Sequence, residues 1–346
     1  MSLQGQLISL IFVIFSSQIA LNYVVQHLFV LPNFQRIERE EALKNMDRVT
    51  QAIHREVDHL VQIAADWAIW DDTYHFIQDR NDNYIKANLT TTALENLKVN
   101  LLYLFDTTRA PVWGTVYDFK ADQPIALPVF SESTALPEGH PLTRVLADTR
   151  AEIHGLMLTE LGTFLIAAQP ILTSTRQGPV QGALVFGRLL DADAITAIAE
   201  QALVVLTVFD LKKDHLGSEE TAIVTELGTV DGSIIRDNQN EQRVYEVLPD
   251  LFGQPILLLQ VTVPNTHRAQ ADAALQYTLL FQFGFGVLSL LLLVTGLRRW
   301  LLTPLQRVAA HALDISQHHS HVMLLGPQYR RNNEIGQLAH VIVRAI

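Results

Sequence analysis

The chain has 346 residues and a formal net charge of −11 at pH 7, and it contains no cysteine. The acidic balance, with no basic stripe along the sequence, argues against a surface that binds nucleic acid. The lack of cysteine excludes disulfides, thiolate metal sites, cysteine nucleophiles and thiol redox sensing, so packing alone must hold the fold together.

Two long uncharged stretches, residues 7–30 and 273–297, bracket a polar middle. Each exceeds the roughly 20 apolar residues that cross a bilayer as a helix. A cleaved signal peptide is the alternative for the first stretch, but that stretch lacks a basic leading region and a small-x-small cleavage pattern. We therefore predict transmembrane helix 1 over residues 7–31, an outer domain over 32–272, transmembrane helix 2 over 273–297 and a cytoplasmic segment over 298–346.

The arginines predict the orientation. Arg298 and Arg299 directly follow the second stretch and Arg307 lies close behind, so the positive-inside bias places the carboxyl end in the cytoplasm. With two spans the amino terminus is then also cytoplasmic. Arg36 and Arg39, just beyond the first stretch, run against this assignment, although glutamates are interleaved with them.

A long helix is predicted after the first span, because apolar residues recur there at steps of three and four. The stripe consists of Leu43, Met46, Val49, Ile53, Val57, Leu60, Ala64 and Trp67. Such a face either packs on its own domain or also contributes a parallel dimer seam, since the spacing is close to a heptad. Both alternatives can hold along different parts of the helix.

Short helices are predicted next. A second helix is predicted to begin at Asp71 or Asp72, whose carboxylate can cap it, and residues 92–95 match a capping box. A helical turn is predicted over residues 142–146, and a helix over 191–201 has Asp191 as its cap.

Strands dominate the chain from Asn100, where apolar or alternating runs are separated by turn residues. Residues 101–105 and 112–117 form a predicted hairpin, and residues 163–171 and 180–188 are predicted to pair antiparallel. Further strands are expected over residues 204–210, 222–226, 244–248 and 256–263. A long helix followed by an antiparallel sheet with short helices indicates an α+β sensor module, in contrast to an alternating βαβ enzyme fold.

The segment Asp66–Tyr74 concentrates the candidate binding residues. Trp67, Trp70 and Tyr74 offer flat apolar surface beside the carboxylates of Asp71 and Asp72, a mixture that suits a small polar or cationic ligand. The alternative is structural, because a tryptophan at the end of an amphipathic helix is commonly core and a following aspartate commonly a cap. Further candidates for lining the site are Trp113, Tyr117 and Arg109.

Other chemistry has weaker support. His54 and Asp58 share a helix face beside His59, so a divalent metal is conceivable there, although a solvated face explains the same residues. A phosphate-binding loop, a nucleophile elbow and a metalloprotease motif are all missing from the sequence, so we expect no catalysis, cofactor or metal in this chain. Gly284 and Gly286 lie within the second span and predict close packing between membrane helices.

The segment Asp66-Trp67-Ala68-Ile69-Trp70-Asp71-Asp72-Thr73-Tyr74 resembles the signature of the fourth class of CHASE extracellular sensor domains. The resemblance covers roughly residues 33–263 and includes Gly182-Ala183-Leu184-Val185. It implies an outer sensor with a PAS/Cache-like antiparallel sheet, and ligand contact through Asp66, Trp67, Trp70, Asp71, Asp72, Tyr74 and Trp113.

Residues after the second span resemble a HAMP relay, a helical bundle that would cover residues 298–346. Pro304 and Leu305 match its first helix, and Glu334 and Gly336 match the start of its second. In the family such a relay continues into a diguanylate cyclase, a phosphodiesterase or a histidine kinase.

The leading hypothesis is a homodimeric two-pass receptor in a bacterial inner membrane, with its sensor outside and both termini in the cytoplasm. An unknown extracytoplasmic ligand or protein would shift the second span, and the HAMP helices would pass the change to a cytoplasmic output. One alternative is the sensor half of a longer diguanylate cyclase, phosphodiesterase or histidine kinase. Another is a membrane scaffold that binds an extracytoplasmic protein.

Overall fold

The structure is a computed structural model that describes residues 3–128, 130, 135–229, 232–238, 241–264 and 266–299, together with Thr303, Gln306 and Ala310. It divides into two compact units, one formed by residues 1–35 and 266–346 and the other by residues 36–265. The α+β class is confirmed by helices and antiparallel sheets in the second unit.

The first unit contains helix α1, Leu3–Val25, a π-helical turn at Gln26–Val30, and helix α8, Thr266–Leu297. By length and composition, two helices can cross a membrane, one from Phe12 near the amino terminus and one over Gln276–Leu297. Two candidate spans were predicted, and both are present.

Within this unit α1 and α8 pack together at Gly286. A Cβ on Gly286 would collide with the ring of Phe15, so the missing side chain is what admits the ring. The neighbouring Gly284 has open space around it, and the Asn22 amide donates to Gln282 across the same pair of helices. Close packing was predicted for both glycines, and the structure assigns it to Gly286.

The second unit is organised around helix α2, Leu31–Ala68. The predicted apolar stripe is confirmed: Met46, Val49, Ile53, Val57, Leu60 and Ala64 are buried, and Leu43 and Trp67 are half-buried against the same core. The stripe therefore packs on its own domain. Its buried residues are therefore not available as a dimer seam.

Helices α3, Asp71–Asp79, α4, Asp82–Asn88, and α5, Thr91–Leu97, follow α2. The predicted short helix at residues 92–95 exists, but Thr90 caps it by accepting from the Ala93 amide at 3.2 Å. The cap therefore lies two residues before the predicted one.

A six-stranded antiparallel sheet has the order β3-β2-β1-β6-β5-β4. Its strands are β1, Leu101–Asp106, β2, Pro111–Asp118, β3, Gln123–Pro124, β4, Ile153–Leu158, β5, Thr163–Ile171, and β6, Gly182–Leu189. The predicted β1–β2 hairpin and the antiparallel β5–β6 pair are both confirmed. The 3₁₀ helix Pro141–Leu146 contains the predicted turn at residues 142–146.

Alternation along the strands separates two cores. Leu102 and Leu104 of β1 face the core that contains α2, whereas Leu101 and Phe105 face a second core beneath the 3₁₀ helix. Every residue of β5 is buried, so this sheet is covered on both faces. The candidate segment therefore lies on the α2 side of a fully covered sheet.

A second antiparallel sheet has the order β7-β10-β9-β8. Its strands are β7, Val205–Asp210, β8, Ile234–Asp237, β9, Glu241–Pro249, and β10, Pro255–Pro264. Helix α6, Ala192–Ala202, joins the two sheets, and Asp191 caps it as predicted by accepting from the Ala194 amide at 3.0 Å.

One predicted strand is wrong. Residues 222–226 lie inside helix α7, Ser218–Leu227. Glu219 and Glu220 in its first turn favour the helix dipole, and Ile223 buries against Tyr245 of β9. Packing on the second sheet overrides the strand preference of the local β-branched residues.

Candidate functional site

The candidate segment occupies the junction between α2 and α3. The Leu172 amide donates to the Ala68 carbonyl at 3.1 Å, and Ile69 forms a parallel bridge with Leu172. Trp70 is extended, and α3 begins directly after it. The chain therefore turns from α2 into α3 while it is held to the end of β5.

Asp71 links this junction to the loop between β5 and β6. Its carboxylate accepts from the Ser174 amide at 2.9 Å, and its own amide donates to the Ser174 hydroxyl at 3.1 Å. Hydrogen bonds from the Ser174 backbone and hydroxyl are the main causes that hold the pKa of Asp71 below its ordinary value.

The predicted start of α3 at Asp71 is confirmed, whereas the predicted cap at Asp71 or Asp72 is wrong. The N-cap of α3 is Trp70, which makes no side-chain capping bond, and Asp71 is the first residue of the helix. The carboxylate of Asp71 is directed to Ser174 because the β5–β6 loop lies beside the start of α3.

The two tryptophans of the segment pack inward. Trp67 meets Phe186 of β6 edge to face with ring centroids 5.8 Å apart, and Trp70 lies 6.0 Å from Tyr84 of α4. Both indoles are half-buried against the α2-side core. Much of their surface is therefore already used in packing, and part remains at the surface.

Tyr84 packs beside Trp70 and is itself held by two further contacts. Its ring stacks on Phe76 at 4.6 Å, and its hydroxyl shares a 2.6 Å hydrogen bond with Thr73. Burial raises the pKa of Tyr84 to about 12, so the phenol stays protonated at neutral pH. The aromatic group beneath the junction is therefore rigid and uncharged.

Tyr74 holds the far end of the β5–β6 loop. Its hydroxyl accepts from the side-chain amide of Gln181 at 3.1 Å and donates to the Pro179 carbonyl at 3.5 Å. Gly178 has φ +96°, and a Cβ there would approach the Tyr74 oxygen at 3.2 Å. Asp71 and Tyr74 thus hold the two ends of one loop to α3.

The other predicted ligand contacts are placed differently. Asp66 and Asp72 are exposed carboxylates on either side of the junction. Trp113 pairs with Leu104 across the β1–β2 ladder and is half-buried against the same core as Trp67. The structure thus packs the three indoles against the α2-side core and leaves the carboxylates of Asp66 and Asp72 exposed.

Arg188 is a residue that the sequence did not single out. Its guanidinium donates to the Glu56 carboxylate of α2 at 2.5 Å, to the Lys98 carbonyl at 2.8 Å and to the Leu97 carbonyl at 3.2 Å. One buried cation therefore joins α2, the carboxyl end of α5 and β6. A lone arginine at the end of a strand carries no signal that distinguishes it from a surface residue.

Ser174 and Gln181 were also missed as site residues. Both lie in or beside the connection between the strands predicted over residues 163–171 and 180–188, and the sequence did not indicate what this connection contacts. Their contacts with α3 span more than a hundred residues of sequence, which no local pattern encodes.

No group of three or more metal-ligating side chains is gathered anywhere in the described part of the chain. His54 instead engages the Thr50 carbonyl through Nδ1 at 2.8 Å, and Asp58 and His59 are exposed. The relay residues Pro304, Leu305, Glu334 and Gly336 lie outside the described residues.

A separate apolar groove of about 680 Å³ lies between α2, α6, β7 and β10. Its walls include Ile195, Leu203, Val205 and Val263, with Asn45 as a polar group. This groove does not include any residue of the candidate segment, and it has no cluster of charged groups, so we do not assign ligand chemistry to it.

Comparison with known proteins finds similarity to sensor domains. Residues 52–209 match the CHASE4 domain, and this range contains the whole α2–α3 junction and the loop that it holds. The methanogenesis regulatory histidine kinase FilI of Methanothrix harundinacea (strain 6Ac) is 24% identical over 240 residues, which is 68% of this chain and 25% of that protein. The chain thus spans about a quarter of the length of that relative.

Two solved structures are similar at low identity. The extracellular domain of vpHK1S-Z8 has a TM-score of 0.45 and 12% identity, with 67% of this chain and 93% of that chain covered. The periplasmic domain of LuxQ from Vibrio cholerae has a TM-score of 0.41 and 13% identity, with 65% and 99% covered. The match over residues 52–209 and the histidine-kinase relative support an extracellular sensor domain of a signal-transduction receptor.

Proposed function

We propose that this chain senses a small extracytoplasmic ligand at the α2–α3 junction and passes the change to the second span. The observation that carries the proposal is the paired clamp of Asp71 on Ser174 and Tyr74 on Gln181, which fastens the β5–β6 loop to α3. A ligand that moves this loop would move α3 and, through the hydrogen bond between Leu172 and Ala68, the end of α2.

The proposed ligand is small and polar or cationic. Asp66 and Asp72 supply exposed carboxylates, and the half-buried rings of Trp67, Trp70 and Trp113 supply π surface on the same side of the sheet. An ammonium group gains from both, because carboxylates pair with it and indole faces attract it.

The proposed relay runs along the chain from β10 into α8. β10 ends at Pro264 and α8 begins at Thr266, so a displacement of the strand reaches α8, the helix that contains the second candidate span, within two residues. Beyond it we propose a HAMP relay over residues 298–346 that involves Pro304, Leu305, Glu334 and Gly336. Arg298 and Arg299 support cytoplasmic termini in an inner membrane.

The proposed output lies in a further cytoplasmic domain or partner, and the receptor acts as a homodimer. Support for a kinase output is that the relative FilI is a histidine kinase of which this chain covers a quarter. A ligand shifts such a receptor only by its differential affinity for two states, and a hundredfold preference supplies about 2.7 kcal/mol.

The test is thermal unfolding of the full chain in lipid nanodiscs, followed by tryptophan fluorescence, with amino acids, polyamines and choline as probes. A ligand at a hundred times its Kd adds about 2.7 kcal/mol, which raises the midpoint of a domain this size by roughly 5–10 °C. We expect Trp70→Ala and Asp71→Asn to abolish the shift.

Asp148→Asn is the matched control for Asp71→Asn, because its exposed carboxylate also accepts from a backbone amide, that of Arg150 at 2.9 Å, in the turn after the 3₁₀ helix. If no probe shifts the midpoint, the proposed ligand class is wrong. If both junction variants keep the full shift, the ligand binds elsewhere.

A further inference from the structure

The tip of the β9–β10 hairpin is docked on the six-stranded sheet. The Leu251 amide at this tip donates to the Leu156 carbonyl of β4 at 2.9 Å. The Leu251 side chain packs against the second core, which also contains Met157. The hairpin of one sheet is therefore held by the edge strand of the other.

Gly155 makes room for this contact. Its φ is +151°, and a Cβ at this position would lie 2.8 Å from Cδ2 of Leu251. A larger residue would have to push the leucine away, because both its backbone conformation and its side chain conflict with the docked tip.

His140 forms the other half of the contact. Its buried ring meets Phe252 edge to face, with centroids 5.2 Å apart. Its Nδ1 accepts from the Leu142 amide at 3.3 Å and caps the 3₁₀ helix. The acceptor role of Nδ1 means that the neutral ring carries its proton on Nε2.

A cavity of about 430 Å³ opens beside this ring and gives solvent access to it. The cavity is walled by Gly139, Met157 and Leu158 together with His140 and Phe252, so it is mainly apolar. A proton can therefore reach a group whose surroundings do not compensate its charge.

The elements around His140 carry several charged or titratable side chains. Glu138 in the same loop is exposed and lines the cavity, and Arg144 of the 3₁₀ helix is exposed. On the β4 side His154 and Glu152 lie 4.0 Å apart and are exposed, and Asp250 of the hairpin accepts from the Phe252 and Gln254 amides at 2.9 Å.

Burial lowers the pKa of His140 below its ordinary value, and this is the cause that acts on it. In the unfolded chain the histidine ring titrates at about pH 6.5. The contribution of the neutral, buried ring to the stability of the docked form is therefore complete above that pH, and it is lost as the pH falls toward the lower pKa of the folded state.

We propose that the docking of Leu251 and Phe252 on β4 and His140 is a proton-sensitive joint between the six-stranded sheet and β10, the strand that leads into α8. Protonation places a hydrogen on the Nδ1 lone pair that now accepts from the Leu142 amide. Two donors then face each other, the cap is lost and a charge remains in an apolar wall. The joint is thereby released.

The consequence for signalling rests on the proposed receptor function, but the state of the joint can be measured alone. Hydrogen exchange of the Leu251 amide in the full chain, in lipid nanodiscs between pH 7.5 and 5, reads the bond to Leu156 directly. Protection is expressed relative to intrinsic exchange at each pH. One proton linked to opening allows a fall of at most about tenfold per pH unit.

The expected result is a fall in Leu251 protection below about pH 6.5 in the wild type. His140→Asn should abolish the pH dependence, because its amide oxygen can still cap but does not titrate. His154→Asn, at the exposed histidine on β4, should behave as the wild type. Leu251→Ala should leave the tip poorly protected at every pH.

Three results would overturn the proposal. The first is wild-type protection that does not change with pH, a measurement that needs no variant. The second is a His140→Asn chain that loses protection like the wild type, or a His154→Asn chain that does not. The third is an equal loss at the interior of β5, which would mean unfolding of the whole domain. Failure of the ligand test above would leave each of these readings unchanged.

Discussion

Replacing Arg188 with methionine removes the cation that joins α2, α5 and β6 while it keeps most of the side-chain volume. The arginine side chain is 11% exposed and donates to three acceptors. Breaking a buried charge pair typically costs about 3–5 kcal/mol. Glu56 is 37% exposed, so solvent screening discounts its share, and we expect Arg188→Met to cost about 2–4 kcal/mol.

Glu56→Gln is the partner variant, because its amide oxygen can still accept from Arg188. It should cost about 0.5–1.5 kcal/mol, since a neutral acceptor replaces a charged one. With the arginine already absent the same change should cost almost nothing. A double-mutant cycle should therefore show coupling of roughly 1 kcal/mol between the two sites.

The assay is denaturant unfolding of the full chain in micelles, followed by tryptophan fluorescence. Trp67 is a suitable reporter, because it contacts Phe186, two residues from Arg188 on the same strand. The free energies of unfolding of the wild type, both single variants and the double variant complete the cycle. A loss below about 1 kcal/mol for Arg188→Met would contradict a stabilising role for this arginine. Strictly additive single variants would contradict its coupling to Glu56.

Two further predictions concern the membrane-proximal parts. Gly286→Leu should disrupt the packing of α8 against Phe15 and lower the thermal unfolding midpoint in nanodiscs. Gly284→Leu, which lies in open space, should leave that midpoint unchanged. An equal fall in the midpoint for both variants would contradict the packing role of Gly286. In a homodimer that uses α2, Ile37→Cys should cross-link between copies under mild oxidation, because Ile37 is exposed, whereas Val49→Cys should not, because Val49 is buried. The chain has no native cysteine to confuse this result, and a cross-link at Val49 alone would contradict the packing of the α2 stripe.

The sequence predicted features that depend on short-range periodicity. An uncharged run of more than 20 residues is too long for an ordinary core helix, so the two candidate spans followed from composition. The stripe from Met46 to Ala64 repeats at helical spacing, and the strands of the β1–β2 hairpin are bounded by turn residues. These signals lie within one element and need no partner to be recognised.

Local preference misled where packing decided the element. The β-branched residues of 222–226 favour a strand by themselves, but Ile223 is buried against the second sheet when the segment is helical. β4 and β8 were not predicted, and they join their sheets through ladders with β5 and β9. Edge strands take much of their stability from such a neighbour, so their own sequence carries a weak signal.

Two candidate spans, a long amphipathic helix, antiparallel strands and a segment rich in tryptophan and aspartate can all be read from the order of the residues. The contacts that these residues make depend on the three-dimensional fold. Asp71 meets Ser174 across 103 positions, and Arg188 meets Glu56 across 132. Such pairs form because the sheet brings distant segments together. Local periodicity does not encode which segments become neighbours.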